Sequence, residues 1–212
     1  YPTLIDRTNE KLDEKINALI SYKEIDEKTA YVFFAPGFEE IEAITPVDIL
    51  RRAGIFVKMV SITNNKLVMG AHNIEIQCDC VLEDILQKDL PEAIIMPGGM
   101  PGATNLANNQ LLKDFTIKCF NEKKLVCAIC ASPAIVFGSY GLLKNKNWTC
   151  YPNMKTETSK EAQSTWKTEP VVIDGNLITS RGPGTASVFA YSILSQLNLD
   201  DKAQNLKKSM LF

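Results

Sequence analysis

Short apolar runs alternate with amphipathic stretches along most of this chain. Tyr31-Val32-Phe33-Phe34-Ala35 is rich in β-formers and predicts a buried strand, ended by Pro36-Gly37. Glu39-Glu40-Ile41-Glu42 opens a helix, with acids in the first turn where the helix dipole favours them. That helix is predicted to reach about Ala53, with Gly54 as its stop and Pro46 bending it or loosening one turn. Ile55 to Ile62 alternates as a strand. Lys66 to Met69 and Asn73 to Cys78 read as short strands after an Asn64-Asn65 turn, and Leu82 to Leu86 as a short helix.

Glu92 to Met96 predicts a further buried strand, ending in Pro97-Gly98-Gly99. A helix from about Asn108 to Lys123 follows, with Leu111, Leu112, Phe115 and Cys119 inward. Leu125 to Ile129 is a compact apolar strand, and Ala131 to Phe137 a helix whose first turn tolerates Ser132 and Pro133. Trp148 to Tyr151 predicts a strand, followed by a polar segment, Asn153 to Ser164. Trp166 to Ile173 and Leu177 to Ser180 predict a hairpin. Gly182-Pro183-Gly184 begins a helix reaching Leu197, and Asp200 or Asp201 would cap a last one ending near Leu211. Such alternation implies an α/β fold: a mainly parallel, doubly wound sheet with helices on both faces and its site beyond the strands' carboxyl ends.

Residues 1–29 differ. Leu12, Ile16, Leu19 and Ile20 fall at helical spacing within the charged stretch Thr8 to Tyr22, which predicts an amphipathic helix, and Ser21 to Thr29 reads as a linker. Residues 1–29 are therefore expected to form an extension and 30–212 the α/β domain.

Composition narrows the function. Of 212 residues, 45% are hydrophobic and 23% charged, with net charge −2, so nothing suggests a nucleic-acid surface. No apolar stretch approaches the roughly 20 residues of a membrane helix. Six cysteines in a chain this long read as reduced thiols, which favours the cytoplasm. In that compartment the glycosylation sequon Asn147-Trp148-Thr149 has no role. Because the chain opens on Tyr1 rather than methionine, an upstream segment is expected to have been removed. An organelle reached through a cleaved targeting segment stays open.

The chemistry gathers at Cys130, which falls at the corner between a strand and a helix, the geometry of a nucleophile elbow. A helix N-terminus there should favour its thiolate. A buried structural cysteine is the blander reading, and it holds for the other five. The one histidine, His72, lies on a predicted strand in the first half and makes a poor partner for Cys130. Glu42 is the better helper: a carboxylic acid in a tight site can stay protonated and donate to a thiolate. Gly99, in the Gly98-Gly99 pair, and Ala131 could offer backbone N–H groups as an oxyanion hole. Cys127-Ala-Ile-Cys130 has redox-motif spacing, but residues three apart on a strand face opposite ways. Cys78-Asp-Cys80 lacks a second pair for zinc, so neither metal nor cofactor is expected.

At these residues the chain resembles the ThiJ/PfpI superfamily, in its DJ-one, or protein deglycase, branch. The matching stretches are Ala35-Pro-Gly-Phe-Glu-Glu-Ile-Glu42, Pro46 to Gly54, Met96-Pro-Gly-Gly99, Ala128-Ile-Cys-Ala-Ser-Pro133 and Thr179-Ser-Arg-Gly-Pro-Gly-Thr185. The resemblance covers about Ala30 to Leu197. It implies a flavodoxin-like fold, a homodimer, Cys130 as nucleophile, Glu42 as the protonated carboxyl, and Gly99 with Ala131 as donors. The implied reaction is glutathione-independent conversion of methylglyoxal, or its early glycation adducts, to lactate. The alternative is a redox sensor or chaperone whose cysteine oxidises to a sulfinate. Protease-like members carry His after the nucleophile, where Ala131 stands here. Tyr151 stands where many relatives have a histidine, and with Gly98 it is a candidate pocket residue.

Overall fold

The computed structural model describes residues 28–154 and 163–212. The helix expected over Thr8 to Tyr22, and most of the polar segment after Asn153, lie outside them. Seven strands form the main sheet in the order β10-β11-β7-β6-β1-β2-β5. They are β1 (Thr29–Phe34), β2 (Phe56–Ser61), β5 (Cys80–Val81), β6 (Ala93–Met96), β7 (Leu125–Ile129), β10 (Val171–Asp174) and β11 (Leu177–Ser180). All neighbours run parallel except the β10–β11 hairpin at one edge. The central order β2-β1-β6-β7-β11 is that of a flavodoxin-like sheet, and its switch point lies between β1 and β6.

Alternation along the buried strands builds two cores. On β1, Ala30, Val32 and Phe34 face one layer, while Tyr31 and Phe33 face the other. The first layer holds α1 (Glu40–Arg52), α4 (Ala186–Gln196) and α5 (Asp200–Ser209). The second holds α3 (Gln110–Asn121) and a π-wound segment, Pro133–Phe137. Phe33, Phe34, Phe38, Phe137, Phe189 and Trp148 are fully buried. Each such side chain is worth about 1.5–3 kcal/mol on burial.

Several predicted boundaries need correction. A short helix, α2 (Gly102–Ala107), precedes α3, which starts only at Gln110 because the Asn109 side chain caps it by accepting the Leu112 N–H at 2.9 Å. Leu111 lies at the edge of the inner stripe and is exposed, while Thr116 takes an inner place. The helix after the elbow is π-wound rather than α. Of the predicted Trp148–Tyr151 strand only Trp148 is extended, in a two-residue strand Asn147–Trp148 (β8) that pairs with Thr165–Trp166 (β9) in a separate ribbon. The hairpin's first arm therefore starts at Val171, not Trp166. Cys80–Val81 pairs with β2 although two residues carry no periodic signal. Asp200 and Asp201 sit inside the first turn of α5, with Leu199 at the cap. His72 is not on a strand: it lies in the turn joining β3 (Leu67–Met69) to β4 (Glu75–Gln77). Pro46 lies inside α1 without ending it.

Candidate active site

The elbow is built by strain held at both ends. Cys130 has φ 67°, a left-handed conformation that costs a non-glycine residue about 1–3 kcal/mol. Its N–H donates to the Ser180 carbonyl at 3.0 Å, at the end of β11, and its carbonyl accepts the Tyr151 N–H at 2.8 Å. These bonds fix the turn and set the half-buried thiol over the carboxyl edge of the sheet. Cys127 faces the first core layer, and Cys130 packs against that same layer, because the left-handed turn re-aims it. Opposite strand faces are therefore not what separates the two cysteines; both are free thiols.

Glu42 reaches the thiol from α1. The Glu39 side chain caps that helix, accepting the Glu42 N–H at 2.7 Å. Glu42 is fully buried. One oxygen, Oε2, accepts the Gly98 N–H at 2.9 Å; the other, Oε1, is buried without a hydrogen-bond partner. Burial pushes this carboxyl up to about 7, opposed by the adjacent Cys130 thiol; the nearby Glu39 charge adds to the rise and the Gly98 N–H reduces it. An ionised carboxylate with a bare buried oxygen is costly, so the protonated form suits this site.

The sequence predicts a lowered Cys130 pKa. Burial instead pushes the thiol up, and the Glu42 carboxylate adds to the effect, while the Ala131 and Gly99 N–H groups pull it down. Both partners are thus driven toward protonation, and the pair holds one negative charge more readily than two. The Ala131 and Gly99 N–H groups lie near enough to the sulfur to favour its thiolate. No such pair of donors serves Cys127, Cys119 or Cys78: burial alone pushes Cys127 far up and is the main cause that takes Cys119 and Cys78 to about 12.

The two glycines are required by space. A Cβ on Gly98 would lie 2.7 Å from Cys130 Cβ and 2.8 Å from Glu42 Oε2. Gly99 has φ 88°, and a Cβ there would meet the Glu39 nitrogen. Gly182, which sequence reasoning did not single out as a site residue, separates the ring of Tyr151 from Glu42: a Cβ there would be 3.3 Å from the ring and 4.0 Å from Oε1. Tyr151 is half exposed and rims the site. The fold thus gathers Cys130, Glu42, Gly98, Gly99, Ala131 and Tyr151. It leaves His72 outside, on Glu40: Nδ1 lies 2.7 Å from Oε2, and the His72 N–H donates to Oε1 at 2.6 Å. Glu39, Glu40 and His72 bring ligand-type atoms within 4.8 Å of one another, but His72 already occupies both Glu40 oxygens.

A flavodoxin-like sheet with a strained cysteine at a strand end, beside a buried carboxyl, defines a class of cysteine-elbow α/β proteins. Within that class the chain belongs to the DJ-1/PfpI family, which it matches over residues 28–196. It is 36% identical to Drosophila melanogaster protein dj-1beta over 184 residues, covering 87% of this chain and 97% of that protein. It is 37% identical to Arabidopsis thaliana protein DJ-1 homolog B over 83% of this chain, but spans only 40% of that longer relative. The solved structure of oxidized Toxoplasma gondii DJ-1 superposes with a TM-score of 0.80 at 28% identity, covering 87% of this chain and 98% of that one. Among the described residues, no helix is long and apolar enough to cross a membrane.

Proposed function

We propose that this protein is a glutathione-independent glyoxalase, acting on methylglyoxal or on its early glycation adducts. The observation that carries the reading is the fully buried Glu42 carboxyl, which meets Cys130 and the Ala131 nitrogen around Gly98. The Cys130 thiolate adds to the aldehyde carbon, and the resulting oxyanion accepts from Gly99 and Ala131. Protonated Glu42 neutralises that oxygen and becomes a carboxylate. It then takes the hydrogen from the aldehyde carbon as a proton, leaving an enediolate whose charge rests on the former ketone oxygen, and returns that proton to the neighbouring carbon while the proton of the first hydroxyl passes to the former ketone oxygen. The product is a thioester of lactate, which water cleaves to lactate and the free thiol. A carboxyl poised near 7 can give and take the proton at neutral pH. Gly98 and the half-exposed Tyr151 would line the pocket, the phenol donating to the substrate's ketone oxygen. Neither metal nor cofactor enters these steps.

Purified protein given methylglyoxal should form lactate without glutathione. Lactate no higher than in a Cys130→Ser control would end this reading. A second reading, a redox sensor oxidised at Cys130, is favoured by the thiol's partial exposure and by the oxidized state of the Toxoplasma relative. It predicts sulfinate formation at Cys130 without lactate.

A further inference from the structure

Ser132 is fully buried, two residues past the nucleophile, and its hydroxyl donates to the Pro97 carbonyl at 2.6 Å. That carbonyl belongs to the Pro97–Gly98 peptide, whose other polar end is the N–H that holds Glu42 Oε2 at 2.9 Å. A peptide is planar, so fixing its oxygen aims its N–H. The next peptide is held in the same manner: the Gly98 carbonyl accepts the Glu39 N–H at 3.0 Å, and the Gly99 N–H faces Cys130. Two consecutive glycines have little intrinsic preference for this shape, so the anchors on their oxygens must supply it.

The structure assigns Ser132 as a positioning residue, which fixes the Pro97–Gly98 peptide and through its N–H orients the Glu42 carboxyl. The inference rests on the proton-shuttle role proposed for Glu42. Ser132 touches neither substrate nor sulfur in this scheme; it acts through one peptide. Removing its hydroxyl leaves a buried carbonyl unpaired and lets the peptide rotate. Glu42 then loses a donor to its ionised form and holds its proton more tightly.

The test follows the Glu42 proton directly. The infrared band of the protonated Glu42 carboxyl, assigned by its loss in Glu42→Gln, is recorded against pH for wild type, Ser132→Ala and Ser132→Thr. In Ser132→Ala the band should persist to higher pH, by up to about one pH unit, with kcat for lactate down roughly three- to tenfold and KM near wild type. Ser132→Thr keeps the hydroxyl and should restore the wild-type midpoint. Ser132→Cys, a weaker donor of similar size, should fall between, and replaces the alanine variant should that one not fold. Equal midpoints in the folded variants would overturn the assignment. Failure of the glyoxalase reading looks different: wild type would make no lactate, yet the band would still move in Ser132→Ala.

Discussion

The Glu42 carboxyl and Cys130 flank Gly98 on the same side, and burial drives both groups toward their protonated forms. The pair holds one negative charge more readily than two, and replacing Glu42 should separate its roles as charge and as proton carrier. Glu42→Gln keeps a donor toward the sulfur but cannot move a proton. The carboxylate that raises the thiol's pKa is gone, so thiolate absorbance should appear at lower pH while lactate formation drops roughly a hundredfold or more. Glu42→Asp keeps the charge but shortens the reach, so turnover should fall without that gain in thiolate. Near-normal turnover in Glu42→Gln would remove the carboxyl from the mechanism.

The raised pKa of Glu42 is also a statement about stability. Its folded value of about 7 lies above the ordinary 4.5, so the folded state binds this proton more tightly than the unfolded chain. The resulting stabilisation is complete below pH 4.5 and is lost as pH rises through 7. Full loss is on the order of 3 kcal/mol. Glu42→Gln, which has no proton to lose, should overtake wild type in stability as pH climbs through this window. Denaturant titrations at pH 5 and pH 8 check it; a gap between the two proteins that does not change with pH would contradict the buried-acid account.

Gly98→Ala places a methyl between the reacting groups. With Cys130 Cβ at 2.7 Å and Glu42 Oε2 at 2.8 Å from the new carbon, the thiol and the carboxyl must move apart. Stability should fall by about 1–3 kcal/mol, the usual cost of overpacking. Lactate formation should fall much further than that loss explains in a protein that remains folded. Thermal melts beside turnover separate the two effects.

The buried strands and the elbow were legible because each carries a strong local signal: β1, β6 and β7 are continuous apolar runs, and Cys130 falls where such a run meets a helix. Glu42 could be placed on the rim because first-turn acids after a parallel strand share that edge. What escaped depends on contacts between distant segments. Ser132 read as a tolerated first-turn residue, since its partner, Pro97, lies just past the end of β6, far away in the sequence. The lowered thiol pKa inferred from the helix dipole omitted burial, which no local pattern reports. His72 took its partner from a helix far away in the sequence.

The charges of α1 do not by themselves argue for a partner. Asp48 pairs with Arg52 within the helix at 2.8 Å, and Arg51 reaches Asp79 at 3.0 Å. The homodimer remains a proposal carried by the family resemblance. Sedimentation at micromolar concentration should give twice the chain mass, and a clean monomer would refute it.

The Glu40–His72 pair ties the β3–β4 turn to the start of α1, two residues before Glu42. Glu40 is buried, whereas the His72 ring is largely exposed. The hydrogen bond to Glu40 raises the His72 pKa above 6.5, with the Glu39 charge adding to the rise. Burial pushes Glu40 up, but its hydrogen bonds to His72 outweigh this and hold it below 4.5. The signs define a window. The His72 contribution is complete below pH 6.5 and is lost as pH rises through its higher folded value. That of Glu40 is present above pH 4.5 and is lost as pH falls through its lower folded value. The deficit in Tm of His72→Ala against wild type should therefore be widest between pH 4.5 and 6.5 and narrow on both sides. Because the ring is exposed to screening, added salt should shrink the deficit inside that window. A deficit independent of both pH and salt would mean that the ring acts by packing alone.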